Sequence, residues 1–181
     1  MNSWIKNTLK ISSYEEMNKL AALAPPGSDG LLFHPFGNGA ERIFENKNPG
    51  AGLKNLQFNR HNTSHMLRAA QEGIAFAFNY GMEIMDEMNA RPRIVRAGET
   101  NMFLSPLFRQ IFTSVTGTVL ELYQTDGSQG AARGAALGVR YYSGFKEAFQ
   151  KLERRMTVAP DKKTAPIYKE AYLEWKKHLK K

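Results

Sequence analysis

The 181-residue sequence contains no cysteine, which removes disulfides, thiolate nucleophiles and every cysteine-bound zinc or iron–sulfur site at once. Its apolar runs are only a few residues long, far short of the ~20 that a membrane-spanning helix requires. Met1 to Lys10 holds no continuous apolar segment of the kind that makes a secretion signal. A cytoplasmic protein with no membrane partner is therefore expected. Both phosphate-cradling signatures are missing: there is no Gly-x-x-x-x-Gly-Lys-Ser/Thr, and no Gly-x-Gly-x-x-Gly after a strand. That counts against a self-contained nucleotide enzyme of either type. No nucleophile-elbow pattern appears, so nothing points to a hydrolase.

Basic residues are in excess, with a net charge of +8 from 25 Lys and Arg against 17 Asp and Glu. The excess is local. Lys146 to Lys181 carries 11 basic and 5 acidic residues, whereas the chain before it is nearly balanced. A lysine-rich terminal helix is read as a solvated face, and no aromatic-interleaved basic motif supports a nucleic-acid partner. Apolar residues make up 42% and charged ones 23%, the usage of an ordinary folded chain, and the length suits a single domain over residues 1–181.

Local patterns order the elements. Ser13-Tyr14-Glu15-Glu16 has the form of a capping box and opens a helix that ends before Pro25-Pro26-Gly27. Leu31 to Phe36 and Leu53 to Phe58 read as a hairpin-like strand pair around a long polar excursion, Gly37 to Gly50. A long amphipathic helix runs from Asn62 or Thr63 to about Asn89. Next come a strand over Arg93 to Gly98 and a helix capped by Ser105, with Pro106 in its first turn and Gly117 at its exit. A strand over Val119 to Tyr123 then leads to a helix capped by Ser128. This strand–helix–strand–helix order predicts an α/β domain with a mixed sheet flanked by helices. Residues 145–181 are expected to form a basic helical tail that packs back on it, ending in a helix from Ile167 to Leu179.

Few residues carry chemistry. His61 and His65 have the i, i+4 spacing of zinc ligands on a helix, but no third ligand stands nearby and no metal site is assigned. Asn62-Thr63-Ser64 is read as a helix start rather than a glycosylation site. Gly130, Gly134 and Gly138 recur every four residues, and a stripe without side chains is expected to pack closely on the sheet. Ala97-Gly98-Glu99-Thr100-Asn101 ends a strand in small residues before a polar loop, which lets backbone approach a flat ligand.

Four segments taken in order carry a family resemblance. They are Gly30 to Phe36 with Gly39-Ala40-Glu41-Arg42, Leu67 to Phe76, Ser105 to Gln110, and Asp126 to Gly138. Together, from about Tyr14 to Tyr142, the sequence resembles the C-terminal domain of the FGGY carbohydrate kinases, and among them those acting on xylulose. The resemblance implies an actin-like ATPase (ribonuclease H-like) lobe that forms one wall of an ATP cleft. A sugar-binding N-terminal lobe would form the other wall, and the γ-phosphoryl group of Mg-ATP would pass to D-xylulose, giving xylulose 5-phosphate.

The segment Ala97 to Asn101 stands where the family places its adenosine-binding motif. Gly98, Thr100 and Asn101 are carried over as adenosine contacts, while Ala97 and Glu99 depart from the glycine-richer family loop. Glu41 and Arg42 match a loop near the domain junction and are assigned to interdomain or phosphate-side organisation. No catalytic residue is carried over, because the family's base aspartate and sugar contacts precede the matched region. Mg2+ would ride on the nucleotide rather than on a protein site. The implied partners are the N-terminal lobe, ATP or ADP, and the sugar held by that lobe, with a homodimer through the interlobe face as a further option. The chain alone is expected to be inactive. The rival expectation is a non-catalytic interaction or regulatory module of the same fold, favoured by the glycine-poor loop at Ala97 to Asn101.

Overall fold

The computed structural model describes residues 1–179. Among the described residues seven α-helices and five strands follow in order: α1 (Asn2–Thr8), α2 (Tyr14–Ala22), β1 (Leu32–Phe36), β2 (Gly50–Lys54), α3 (Thr63–Glu87), β3 (Ile94–Gly98), α4 (Pro106–Thr116), β4 (Val119–Tyr123), α5 (Gly127–Gly138), α6 (Phe145–Phe149), β5 (Arg154–Val158) and α7 (Ala165–Lys177). Strands β1 and β2 form an antiparallel pair, and β3-β4-β5 form a separate sheet. Within that sheet β3 and β4 run parallel while β5 returns antiparallel, so the expected mixed α/β arrangement is present. No described helix is long and apolar enough to cross a membrane.

The caps follow from side-chain chemistry. Ser13 accepts from the Glu16 amide and starts α2, although the Glu16 carboxylate reaches Ser12 instead of closing the box on Ser13. Asn62 accepts from the Ser64 and His65 amides, and His65 bonds back to the Asn62 amide, so α3 opens on a true reciprocal cap. Ser105 accepts from the Phe108 amide, and Gly117 leaves α4 at a left-handed φ of 70°.

Some elements differ from the sequence reading. The second strand is Gly50–Lys54, not Leu53 to Phe58. It ends because Asn55 turns left-handed at φ 61°, which leaves Phe58 94% exposed. The cap of α5 is Asp126, whose carboxylate takes the Gln129 amide and the Ser128 hydroxyl; Ser128 already lies inside the helix. Helix α1 and strand β5 are additional, so residues 145–181 are not helical throughout. His61 precedes α3 and is not on its face. His61 bonds the Gln57 amide and the Asp29 carbonyl, while His65 meets the Asp29 carboxylate at 3.1 Å. Among the described residues no group of three His, Asp or Glu could hold a metal ion.

The core has two parts. Phe76, Phe108, Ile111, Phe112, Leu120, Leu122, Tyr168, Tyr172 and Trp175 pack between the sheet and α3, α4 and α7. Ile5, Met17, Ala21, Leu31, Phe33 and Leu67 join α1, α2, β1 and α3. The indole N–H of the fully buried Trp175 donates to the Phe33 carbonyl at 2.8 Å, and its ring stacks on His34, so α7 is pinned to β1.

A buried polar knot joins these parts. The Glu72 carboxylate accepts from the Arg68 guanidinium, the Gly27 amide and the Ser28 hydroxyl, each at 2.9 Å. Arg68 also donates to the Ala24 carbonyl and to the Tyr168 hydroxyl. All the strong donors around Glu72 are therefore matched, which is the condition for tolerating a charge in the interior. Even so, burial pushes the Glu72 carboxyl up to about 7, with Arg68 and the hydrogen bonds pulling it back.

Candidate nucleotide site

The parallel strands β3 and β4 end side by side at Gly98 and Tyr123, the edge at which open α/β sheets present ligand crevices. Gly98 is required there for a packing reason. A Cβ at this position would stand 2.3 Å from the Thr125 carbonyl oxygen, so β3 fits against the turn after β4 only because Gly98 has no side chain. The glycine makes room for protein backbone, and the same turn leads through Asp126 into α5.

After Gly98 the loop is tied down strand by strand. The Glu99 amide donates to the Tyr123 carbonyl, continuing the ladder, and the Thr100 amide turns back to the Gly98 carbonyl. Asn101 takes a left-handed φ of 52°, a conformation that asparagine accepts more readily than most residues. It begins a single 3-10 turn, Asn101–Leu104. Arg109, only 7% exposed on α4, holds this loop from below. Its guanidinium donates to the Glu99 carboxylate at 2.8 Å and to the Phe103 carbonyl. Arg109 lies within the family-like segment Ser105 to Gln110, but its anchoring role has no signature in sequence because its partners stand six and ten residues away.

Two cavities flank the loop. One, of about 470 Å³, is lined by Arg96, Ala97, Gly98, Tyr123, Thr125, Phe149 and Leu152 on the outer face of the sheet. The other, of about 420 Å³, lies on the opposite side, among α1, α2, α3 and the start of α4. Asn101, Met102, Leu104, Ser105 and Phe108 form one wall of it; Met17, Asn18, Gln71, Tyr14 and Asn2 form the other. Its volume falls in the range of small-molecule pockets, and its walls alternate apolar side chains with amides. Gly98 and Asn101 therefore line different cavities, although they sit three residues apart.

Glu41 and Arg42 lie elsewhere. They stand in the excursion between β1 and β2, where Glu41 bridges to Lys47 and Arg42 begins a 3-10 turn. Neither lines the cavities beside Gly98 or Asn101. Thr100 precedes the 3-10 turn as its cap residue. Of the site residues singled out from the sequence, Asn101 alone lines the cavity of about 420 Å³, whose opposite wall comes from helices far apart in the chain.

The outer face of the sheet carries a charge network. Arg96 and Arg154 both reach Glu121 at 2.9 and 2.8 Å, and the Tyr123 hydroxyl donates to the same carboxylate. The Arg96 hydrogen bond, with help from Tyr123 and Arg154, holds the Glu121 carboxyl down at about 2.

Comparison with known proteins adds the family. Residues 1–139 match the C-terminal domain of the FGGY family of carbohydrate kinases. The chain is 26% identical to a xylulose kinase of Haemophilus influenzae over 98% of its own length and 36% of that protein's. It is 28% identical to an L-xylulose/3-keto-L-gulonate kinase of Escherichia coli, over 92% of this chain and 33% of that one. It superposes on a ligand-bound xylulose kinase from Lactobacillus acidophilus with a TM-score of 0.82 at 22% identity, covering 97% of this chain and 36% of the other. The chain thus spans about a third of the length of these relatives. It belongs to the FGGY family of carbohydrate kinases, as a C-terminal domain of the actin-like ATPase fold.

Proposed function

We propose that this chain is the nucleotide-side lobe of a sugar kinase that transfers the ATP γ-phosphoryl group to D-xylulose, giving xylulose 5-phosphate. The observation that carries the reading is the cavity of about 420 Å³ walled on one side by the loop from Asn101 to Ser105, within a chain of the FGGY family. One relative 26% identical is named a xylulose kinase and another, 28% identical, is named for L-xylulose and 3-keto-L-gulonate, so the choice of D-xylulose follows the resemblance read in the sequence. It is the finer part of the proposal.

In this reading the base of ATP enters the cavity beside Asn101, and Gly98 and Thr100 act on the adenosine by shaping the loop that carries Asn101, Gly98 through its close fit to the Thr125 backbone and Thr100 as the cap of the 3-10 turn. Arg109 keeps that loop in place through Glu99 and the Phe103 carbonyl. Glu41 and Arg42, on the separate excursion, face the domain junction or the phosphate side. Phosphoryl transfer is mostly a matter of positioning and charge neutralisation. This lobe supplies a rigid seat for the nucleotide; a sugar-binding lobe supplies the acceptor hydroxyl and the base that orients it. Mg2+ rides on the nucleotide phosphates in this scheme. When bound, the ion neutralises developing charge on the transferred group.

The test is calorimetric titration of the chain with Mg-ADP, followed by assay of D-xylulose-dependent ADP formation with the rest of the kinase supplied in trans. Saturable ADP binding and activity only in the mixture are expected. Activity with another sugar but not with D-xylulose would leave the kinase reading and remove the sugar assignment. Loss of ADP affinity in Asn101→Ala with an unchanged melting temperature would place the base beside that residue.

A further inference from the structure

The three-stranded sheet has two edges, and they are built differently. Strand β5, on one side, carries Arg154 and Arg155 and shifts register against β4 between Leu122 and Tyr123. Charged residues and bulges are the devices by which a sheet edge avoids taking up a further strand. Strand β3, on the other side, lacks them. It runs in unbroken register with β4, contains no proline or lysine, and its one charged side chain, Arg96, is drawn across the sheet to Glu121 at 2.9 Å. Ile94, at its start, is 47% exposed.

The ladder between β3 and β4 determines which backbone groups are left over. The Arg93 carbonyl accepts from the Val119 amide, and the Glu99 amide donates to the Tyr123 carbonyl. Successive residues of a parallel strand turn their N–H and C=O groups to opposite neighbours. The odd-numbered residues from Arg93 to Glu99 therefore serve β4, and the amides and carbonyls of Ile94 and Arg96 leave the sheet on its open side. Among the described residues no strand takes them up. The helix nearby is short of a neighbour too. The Thr125–Asp126 turn passes against the end of β3 at Gly98, which starts α5 on the β3 side of the sheet, and α5 buries none of its residues.

We infer that the free edge of β3 pairs with a β-strand from the part of the kinase that lies outside this chain, so that one sheet continues across the two portions. The chain spans about a third of the length of its relatives, which leaves ample sequence to supply that strand. Pairing at a sheet edge draws its affinity from main-chain hydrogen bonds, and the unguarded groups of Ile94 and Arg96 are of that kind. The inference rests on the reading of this chain as one lobe of a sugar kinase. It adds the place and the type of contact by which the rest of the protein attaches.

Amide hydrogen exchange followed by NMR, on the full chain alone and mixed with the rest of the kinase, provides the test. In the chain alone the Val95 and Ala97 amides, which face β4, are expected to exchange slowly and those of Ile94 and Arg96 fast. In the complex the Ile94 and Arg96 amides should slow by at least about a hundredfold. Ile94→Pro removes one outward N–H at the first residue of the strand, a position that tolerates proline. It should weaken association about tenfold, the scale of one hydrogen bond, and leave the melting temperature of the chain alone unchanged. A complex in which both edge amides still exchange fast would overturn the pairing and leave the lobe reading intact. Protection in the chain alone that grows with its concentration would give the edge to a second copy and overturn the inference. Absence of any association would overturn the pairing and the lobe reading together. The wild-type comparison needs no substitution, so it decides the matter even where the variant folds poorly.

Discussion

Gly73 of α3 and the glycine stripe of α5 do opposite things, while Gly81 of α3 is as open as the stripe. Gly73 of α3 lies against β1 so closely that a Cβ would stand 2.1 Å from the Phe33 carbonyl oxygen. Gly130, Gly134 and Gly138 of α5 have nothing within 4 Å of the position a Cβ would take. The same contrast runs through the rest of each helix. Eleven residues of α3 are buried, including Arg68 and Glu72, whereas α5 buries none. Spacing alone therefore says little about what a small residue is for. At Gly73 the missing side chain is filled by this chain's own backbone; on α5 the stripe expected to pack on the sheet faces open space.

The largest effect belongs to Gly73→Ala. The clash is with backbone rather than with the tip of a flexible side chain, so α3 and β1 must separate. A loss of about 3 kcal/mol or more is expected, at the upper end of overpacking costs. Chemical denaturation measures it directly. A loss of under about 1 kcal/mol would mean that β1 yields without strain and that the tight contact does not anchor the helix.

Helix α3 differs from the sheet strand β4, which precedes α5, in its response to pH. Glu72, buried under α2 and α7, has its carboxyl raised from the usual 4.5 to about 7, chiefly by burial. Relative to the unfolded chain the folded state favours its protonated form. Its stabilising contribution is complete below pH 4.5 and is lost as pH rises through about 7. Glu121, on the outer face of β4, has its carboxyl lowered to about 2, first by Arg96. Its contribution is present above pH 4.5 and disappears as pH falls toward 2.

Melting temperatures followed across this span should show the two carboxylates acting on opposite limbs of the stability curve. Glu72→Gln should flatten the limb between pH 4.5 and 7, and Glu121→Gln the limb below 4.5. A Glu72→Gln chain that keeps the wild-type slope would show that the buried carboxyl does not govern the upper limb.

How much of this was legible beforehand depends on the range over which each signal acts. Caps act over three residues, so Ser13, Asn62, Ser105 and Gly117 could be read from the sequence, and each stands where it was expected. Asp126 was passed over because Ser128, two residues on, is an equally good cap by type. Strand β5 was missed because Arg154 and Arg155 hide its alternation; basic side chains suit a sheet edge but read as a solvated tail. Helix α1 has no side-chain cap at all. For the candidate site, the loop from Gly98 to Asn101 was legible because a strand ending in glycine has a local pattern. Gln71 was not, since a buried glutamine in an apolar helix has meaning only once α1, α2 and the 3-10 turn close around it.

Gly134→Ala produces the smallest change and sharpens the comparison most. In the chain alone α5 is open on that side, so alanine adds helix propensity without a clash and should raise stability by up to about 1 kcal/mol. Within a complete kinase the outcome depends on whether the remaining two-thirds of the protein packs on α5. If it does, the added methyl group meets a neighbour where this chain has none, and the same substitution should lower the melting temperature and activity of the assembled enzyme. An equal gain in both settings would show that α5 remains solvent-facing in the intact protein. A gain in the chain and a loss in the enzyme would show that the stripe is a contact surface, with Gly134 serving the partner lobe as Gly73 serves β1.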